Sequence, residues 1–293
     1  MAKPKLLLVD GSSLAFRAFF SILDLNRFKN SNGLHTNALY SFHRMFKAIL
    51  DSEKPTHVLV AWDAGKTTFR TEMYADYKGG RSKTPGEFIE QMPYFNVLLD
   101  AWGIPHYRLN QYEADDIIGT LAKQGEAAGY EVVVLSGDKD LIQLADNNIT
   151  VKITTKGVTE LVEYTPEVIF EKYGLTPEQI IDMKGLMGDS SDNYPGVTKV
   201  GEKTAVKLLQ EFGSVEGIYE HVDEMKKSKL KENLINDKEL AFLSKKLARI
   251  NVESPIEITL EDTLRKEQDV DALMSFYKEM NFNSFQSDLL NSG

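Results

Sequence analysis

The sequence contains no cysteine. That absence removes disulfides, thiolate nucleophiles and sulfur-ligated zinc or iron–sulfur centres together. Histidine is sparse. The five, His35, His43, His57, His106 and His221, are scattered with no HExxH or paired spacing. Any metal would therefore be held by oxygen, which points to magnesium, manganese or calcium. No apolar run approaches the ~18 residues of a membrane span. The opening MAKPKLLLVDGSS has too short an apolar run for a signal peptide and then turns acidic. The expected location is the cytoplasm, with no membrane partner. Heptads, repeats and low-complexity tracts are missing as well.

What is present is a chain of 293 residues, 42% hydrophobic and 27% charged, long enough for one large domain or two ordinary ones. The net charge of −10 argues, as an average, against a nucleic-acid partner. Both signs are clustered, however. Residues 64–83 hold five basic side chains (Lys66, Arg70, Lys78, Arg81, Lys83) against two acidic ones, and KKSKLK at 226–231 is a second basic group. Such patches also occur as plain solvated faces.

The first half alternates strand and helix. KLLLVDG, THVLVAWDAG and YEVVVLSGDKD read as buried strands. NALYSFHRMFKAIL, with Asn37 as N-cap, GEFIEQMPYFNVLLDAWG, restarted at Pro93, and ADDIIGTLAKQGEAAGY read as helices. The pattern predicts an α/β fold with a parallel-rich sheet covered on both faces. TVKITTKGVTELVEY reads as a hairpin around Lys156-Gly157, and short helices broken by Gly and Pro follow. The expected division is an α/β core over 1–175 and a helical region over 176–293. Residues 64–86 interrupt the core with a loop of roughly 20 residues, a length that is often functional. In it Phe69, Tyr74 and Tyr77 interleave with the basic side chains.

The three strands end in Asp10, in Asp63, and just before Asp138 and Asp140. In an open parallel sheet the carboxyl ends share one edge, where ligand sites form. YEADDIIG puts Glu113, Asp115 and Asp116 at a helix start, and MGDSSDNYPG adds Asp189 and Asp192. Acids in a first helical turn also serve as caps. Nine carboxylates in one cleft, however, could not all ionise without compensating cations. Two divalent metals are the device that phosphodiester hydrolysis uses. GVTKVGEKT and DAGKTT fail as P-loops, and VDGSS lacks the second acid of an aspartate-nucleophile phosphatase. PGVTKVGEKTAVKLLQEFG reads instead as a helix–hairpin–helix element, with Pro195, Gly196 and Gly201 in a tight turn and Lys199, Lys203 and Lys207 nearby.

In order and spacing, LLLVDGS, VAWDAGKTTFR, DYKGGR, YEADDIIG, SGDKDLIQL and GLMGDSSDNYPGVTKVGEKTA resemble the bacterial 5′-nuclease family. That family comprises the flap endonuclease and 5′→3′ exonuclease domain of DNA polymerase I and its stand-alone relatives. The resemblance covers essentially the whole chain and implies a PIN-like core. It implies a first metal site of Asp10, Asp63, Glu113, Asp115 and Asp116. A second would be built from Asp138, Asp140, Asp189 and Asp192, with two Mg2+ or Mn2+ ions between the sites. Residues 64–92 would form a helical arch from which Tyr77, Lys78 and Arg81 reach the scissile phosphate, with Arg70 and Lys83 as DNA contacts. The helix–hairpin–helix at 184–212 would grip duplex DNA through Gly196, Lys199, Gly201, Lys203 and Thr204, and hold K+. The implied substrates are branched duplexes with a 5′ flap or 5′ end and RNA–DNA primer junctions, cut by a monomer with a DNA polymerase in cis or in trans. Two alternatives stay open. A non-catalytic DNA-binding module predicts broken acidic positions, and none is broken. A metal-dependent RNA nuclease of similar core would lack the helix–hairpin–helix.

Overall fold

The computed structural model describes residues 2–155 and 160–292. A six-stranded sheet runs in the order β3-β2-β1-β4-β5-β6. β1 (Lys5–Asp10), β2 (His57–Trp62), β3 (His106–Arg108), β4 (Glu131–Ser136) and β5 (Ile149–Thr154) pair in parallel, and β6 (Leu161–Tyr164) closes one edge antiparallel to β5. The strands are apolar on both faces because both faces are covered. Successive side chains point opposite ways, so Leu6 and Leu8 enter one core while Leu7 and Val9 enter the other. Each such buried side chain contributes about 1.5–3 kcal/mol.

The helices before the sheet's last strands are α1 (Gly11–Ser21), α2 (Asn37–Glu53), α3 (Phe69–Met73), α4 (Gly86–Ile89), α5 (Met92–Trp102) and α6 (Ala114–Ala127). Beyond β6 come α7 (Pro166–Tyr173), α8 (Pro177–Met187), α9 (Glu202–Phe212), α10 (Val215–His221), α11 (Lys229–Asn236), α12 (Lys238–Ala248), α13 (Val270–Met280) and α14 (Asn283–Ser292). One face of the sheet packs on α1, α2, α5 and α13; the other packs on α6, α8, α9 and α10. The later helices therefore share their cores with the sheet. Among the described residues no helix is long and apolar enough to cross a membrane.

Several sequence expectations change. β3 has only three residues, too few to show a period, and the sequence does not reveal it. β5 and β6 pair as expected, while the turn expected at Lys156-Gly157 lies outside the described residues. Thr36, not Asn37, is the N-cap of α2. The Asn37 amide turns inward to donate to Phe19 O at 2.8 Å. Segment 64–92, the expected arch, holds the short helices α3 and α4 joined by turns. GEFIEQMPYFNVLLDAWG does restart at Pro93, which occupies the first turn of α5.

The register places the acids. Asp10 is level with Ala61, and Val9 with Leu135. Asp63 and Asp138 thus emerge just beyond Asp10 on the same edge. β1 leads through helices to β2 on one side, while β4 flanks it on the other. The edge between β1 and β4 is therefore a topological switch point, where crevices form in open sheets.

Candidate active site: two acidic clusters and a basic loop

Asp10 ends β1 and caps α1, accepting from Ser13 N at 3.1 Å and Ser136 Oγ at 2.7 Å. Burial pushes its pKa up to about 6, with Asp63 adding to the rise. Asp63 accepts from Ala114 N at 2.8 Å, which fixes the start of α6 over the strand ends. Asp115, in the first turn of α6, has its pKa raised by burial and then by Asp10, Asp138 and Glu113. Asp138 is raised to about 6, chiefly by burial; Asp192 and Asp10 add to it. Asp140 is pushed up to about 8, first by burial and then by Asp138. Burial first, and neighbouring carboxylates second, hold these four groups above the ordinary carboxylate range, whereas Lys184 lowers Asp189, and Lys78 with Arg70 lowers Glu113.

Asp140, Asp189 and Asp192 each offer a carboxylate oxygen within 4.8 Å of the others'. Oxygen-only donors at that spacing, beside acids that resist ionising alone, fit hard divalent cations. Asp189 is set by its own turn: Ser191 N, Ser191 Oγ and Asp192 N all donate to its Oδ1, at 2.9, 2.7 and 3.0 Å. The sequence reading overlooks Lys184, in the last turn of α8. Its Nζ lies 3.3 Å from Asp140 and 3.0 Å from Asp189, partly neutralising this cluster. Its spacing five residues before Asp189 in MKGLMGD was the available signal.

Around Glu113, three of the expected site residues engage other parts of the chain. Asp116 is fully buried and faces away from the open acids. Its carboxylate takes both Arg70 NH groups, at 2.8 and 2.9 Å, as well as Glu113 N at 3.1 Å and Asn251 N at 2.9 Å. No lone pair is left for a metal. Arg70 is 2% exposed and also donates to Leu247 O and Arg249 O, so it is an internal clamp and not a DNA contact. Tyr77 is 6% exposed, with its hydroxyl 3.2 Å from both Glu113 oxygens, so here it supports Glu113.

Lys78 pairs with Glu113. Burial alone would lower its pKa, but Glu113, Asp63 and Asp192 together raise it, so it stays charged. Its backbone is left-handed (φ 58°), and its N–H donates to Asp192 O at 2.7 Å. Arg81 NH2 lies 2.6 Å from Asp192 with half its side chain exposed. Lys83 is exposed in the same loop. Asn193, a second residue the sequence does not mark, ties the loop down by donating to Asp76 O at 2.8 Å.

The hairpin joins α8 to α9. Lys199, Gly201 and Lys203 are exposed, Thr204 is half-buried, and nothing lies within 4 Å of where a Gly201 side chain would start. That open backbone at the start of α9 suits close approach of an anion. Gly196 is a correction. It is buried with φ 61°, packed on Leu186 to Gly188, and its N–H is taken by Ser244 Oγ at 3.0 Å, so it shapes the turn without presenting an amide.

The family model described as the 5′-3′ exonuclease N-terminal resolvase-like domain matches residues 5–174, and the 5′-3′ exonuclease C-terminal SAM fold matches 175–271. The chain is 61% identical to DNA polymerase I of Lactococcus lactis subsp. cremoris, over 99% of this chain and 34% of that protein. Against DNA polymerase I of Streptococcus pneumoniae it is also 61% identical, over 99% of this chain and 33% of that one. It spans about one third of the length of these curated relatives. Among solved structures, the T5 D15 protein co-crystallised with metal ions superposes with a TM-score of 0.67 at 25% identity, covering 98% of each chain. The sheet and the helices that flank it thus have their counterpart in known proteins: the chain belongs to the 5′-3′ exonuclease family.

Proposed function

We propose that this chain is a metal-dependent, structure-specific 5′ nuclease acting near the 5′ ends of flapped, branched or nicked duplex DNA and at RNA–DNA primer junctions in replication and repair. The observation that carries this reading is the convergence of Asp10, Asp63, Asp115, Asp138, Asp140, Asp189 and Asp192 on one sheet edge, next to Lys78 and Arg81. Asp138, whose carboxyl is raised by Asp10 of one group and by Asp192 of the other, would serve both. Magnesium is the expected ion, with manganese able to replace it, because every donor is oxygen. When bound, such ions lower the pKa of an attacking water and neutralise the phosphoryl oxygens. Glu113 is held by Arg70, Tyr77 and Lys78 and anchors the start of α6. Lys78 and Arg81 supply fixed positive charge where negative charge grows in the transition state. Lys83 and the hairpin residues Lys199, Gly201, Lys203 and Thr204 grip backbone phosphates without reading sequence, and K+ bound at the hairpin would complete that contact.

The chain acts in the cytoplasm as a monomer, since one copy carries both acidic clusters and the hairpin. Residues 1–175 form the nuclease core and 176–293 the duplex-binding part. The relatives carry the matching stretch within DNA polymerase I, which supports a polymerase partner in cis or in trans. A 5′-labelled flap incubated with the chain in Mg2+, in Ca2+ and in EDTA tests the reading. Cleavage only in Mg2+ is expected. Binding without cleavage in every metal would instead support a DNA-binding module.

A further inference from the structure

The pairing of β1 stops short of two of the acids. Its last partner on one side is Ala61, level with Asp10, and on the other Leu135, level with Val9. Asp63 and Asp138 lie beyond these ends, where the chain after Asp10 has turned into α1 and offers no further strand backbone. Backbone N–H groups at such exits need other acceptors, and the first turn of α1 supplies them. Ser12 Oγ accepts from Asp63 N at 2.8 Å, and Ser13 Oγ accepts from Gly137 N at 3.0 Å. Adjacent helical residues point about 100° apart, so one hydroxyl serves the exit of β2 and the next the exit of β4. Capping does not account for the pair. Asp10 already caps α1, and both hydroxyls bond to other segments of the chain.

The proton accounting closes at Ser136, which is fully buried. A hydroxyl has one proton and two acceptor sites. Ser136 gives its proton to Asp10 Oδ2 at 2.7 Å and accepts from Asp138 N at 2.9 Å. In its 3.2 Å contact with Ser13 Oγ, Ser13 is therefore the donor, in preference to a longer bond to Asp10 O at 3.5 Å. Three serines thus join the Asp10 carboxylate to the backbone at Asp63 and Asp138. Asp63 in turn holds Ala114 N, one residue before Asp115. We propose that Ser12 and Ser13 are positioning residues, side-chain pins that set the separation of Asp10, Asp63 and Asp138 and thereby how tightly this edge holds a divalent cation. Carboxylates crowded on one edge repel one another, and pins on the adjoining backbone resist that spread. Outer hydrogen bonds that orient metal ligands typically matter 10–100-fold in metal affinity or activity.

The inference rests on reading these acids as cation ligands, and the test separates the two. Mn2+ is titrated calorimetrically into the EDTA-stripped full chain as wild type, Ser12→Ala, Ser13→Ala, Ser12→Thr and Asp63→Asn. Thermal midpoints without metal set a temperature at which every variant is folded. Single-turnover cleavage of a 5′ flap is then followed against Mg2+ concentration. The expected result is a binding event that Asp63→Asn abolishes and that each alanine variant weakens roughly tenfold. The Mg2+ needed for half-maximal cleavage should rise by a similar factor, while Ser12→Thr, which keeps the acceptor oxygen, stays close to wild type in both. Unchanged Mn2+ affinity in either alanine variant overturns the role of that serine, whatever its midpoint, since the hydroxyl would then serve at most the fold. A Ser12→Thr variant as weak as Ser12→Ala overturns it too, because the acceptor would not be what matters. A wild type lacking any Mn2+ event that Asp63→Asn removes overturns instead the reading of the acids.

Discussion

Arg70 and Asp116 form a buried, two-pronged ion pair, NH1 to Oδ2 at 2.8 Å and NH2 to Oδ1 at 2.9 Å, with side chains 3% and 0% exposed. It locks the base of the basic loop to the first turn of α6. The remaining Arg70 donors reach Glu113 and, at the end of α12, Leu247 O and Arg249 O. One guanidinium thus joins the loop, the acid-bearing helix and the later helices.

Removing one partner leaves an uncompensated buried charge. Arg70→Ala is expected to destabilise the chain by about 3–5 kcal/mol, measured by urea unfolding. At temperatures where the variant stays folded, the salt dependence of its flap binding should match wild type. A slope lower by about one unit would mean that Arg70 meets a phosphate after all.

Lys78 and Lys83 should separate by kinetics. Lys78 stands among Glu113, Asp63 and Asp192, so Lys78→Ala should cut single-turnover cleavage by roughly 100-fold or more, with little change in flap affinity in Ca2+. Lys83→Ala should weaken affinity and lower its salt slope instead. Equal losses in both variants, each recovered by adding enzyme, would reduce Lys78 to an ordinary phosphate contact.

Asn193 holds the left-handed backbone (φ 56°) that asparagine tolerates, and its amide bonds Asp76 O. Asn193→Ala loses both features and loosens the loop that carries Lys78. Turnover should fall by about tenfold, since a small misplacement of a fixed charge costs rate before it costs binding. A variant with unchanged turnover and weaker flap binding would place Asn193 in the substrate interface.

His43 predicts a pH effect far from the acids. Its ring stacks between Trp102 (4.5 Å) and Phe285 (4.0 Å), and Nε2 lies 2.6 Å from Tyr277 Oη. Burial pushes its pKa from 6.5 down to about 3, with Lys47 assisting. The unfolded chain therefore binds a proton below about pH 6.5 that the folded chain refuses until about pH 3. Stability should fall with pH through that window, by at most about 1.4 kcal/mol per pH unit from this group. His43→Gln should flatten the decline in urea midpoint between about pH 7 and pH 5. A decline as steep as in wild type would assign it to other groups.

The strand-end acids were legible because parallel strands share one edge, whatever the details of packing. Which acids face the cleft was not. On α6 each residue turns about 100°, so Asp115 points to the strand ends while Asp116 turns under toward Arg70. Arg70 lies 46 residues before Asp116, and nothing in the local sequence pairs them. A basic side chain in a basic segment reads as a contact until its burial is known. Gly196 misleads in the same way, because a glycine needed for a turn looks like one needed for a ligand. Lys184 stayed hidden because a lone lysine at a helix end carries no pattern.

The central claim is that the acids on this sheet edge hold the ions that cut. Asp138, which feels both Asp10 and Asp192, tests it most directly. Asparagine keeps an oxygen to accept from Asp140 N, as Asp138 does at 2.8 Å, but removes the charge. The measurement is the single-turnover rate on a 5′ flap in Mg2+ for wild type and Asp138→Asn, with flap affinity in Ca2+ as the control. The account predicts a rate lower by roughly 1,000-fold at nearly unchanged affinity. Cleavage by Asp138→Asn at close to the wild-type rate would contradict it.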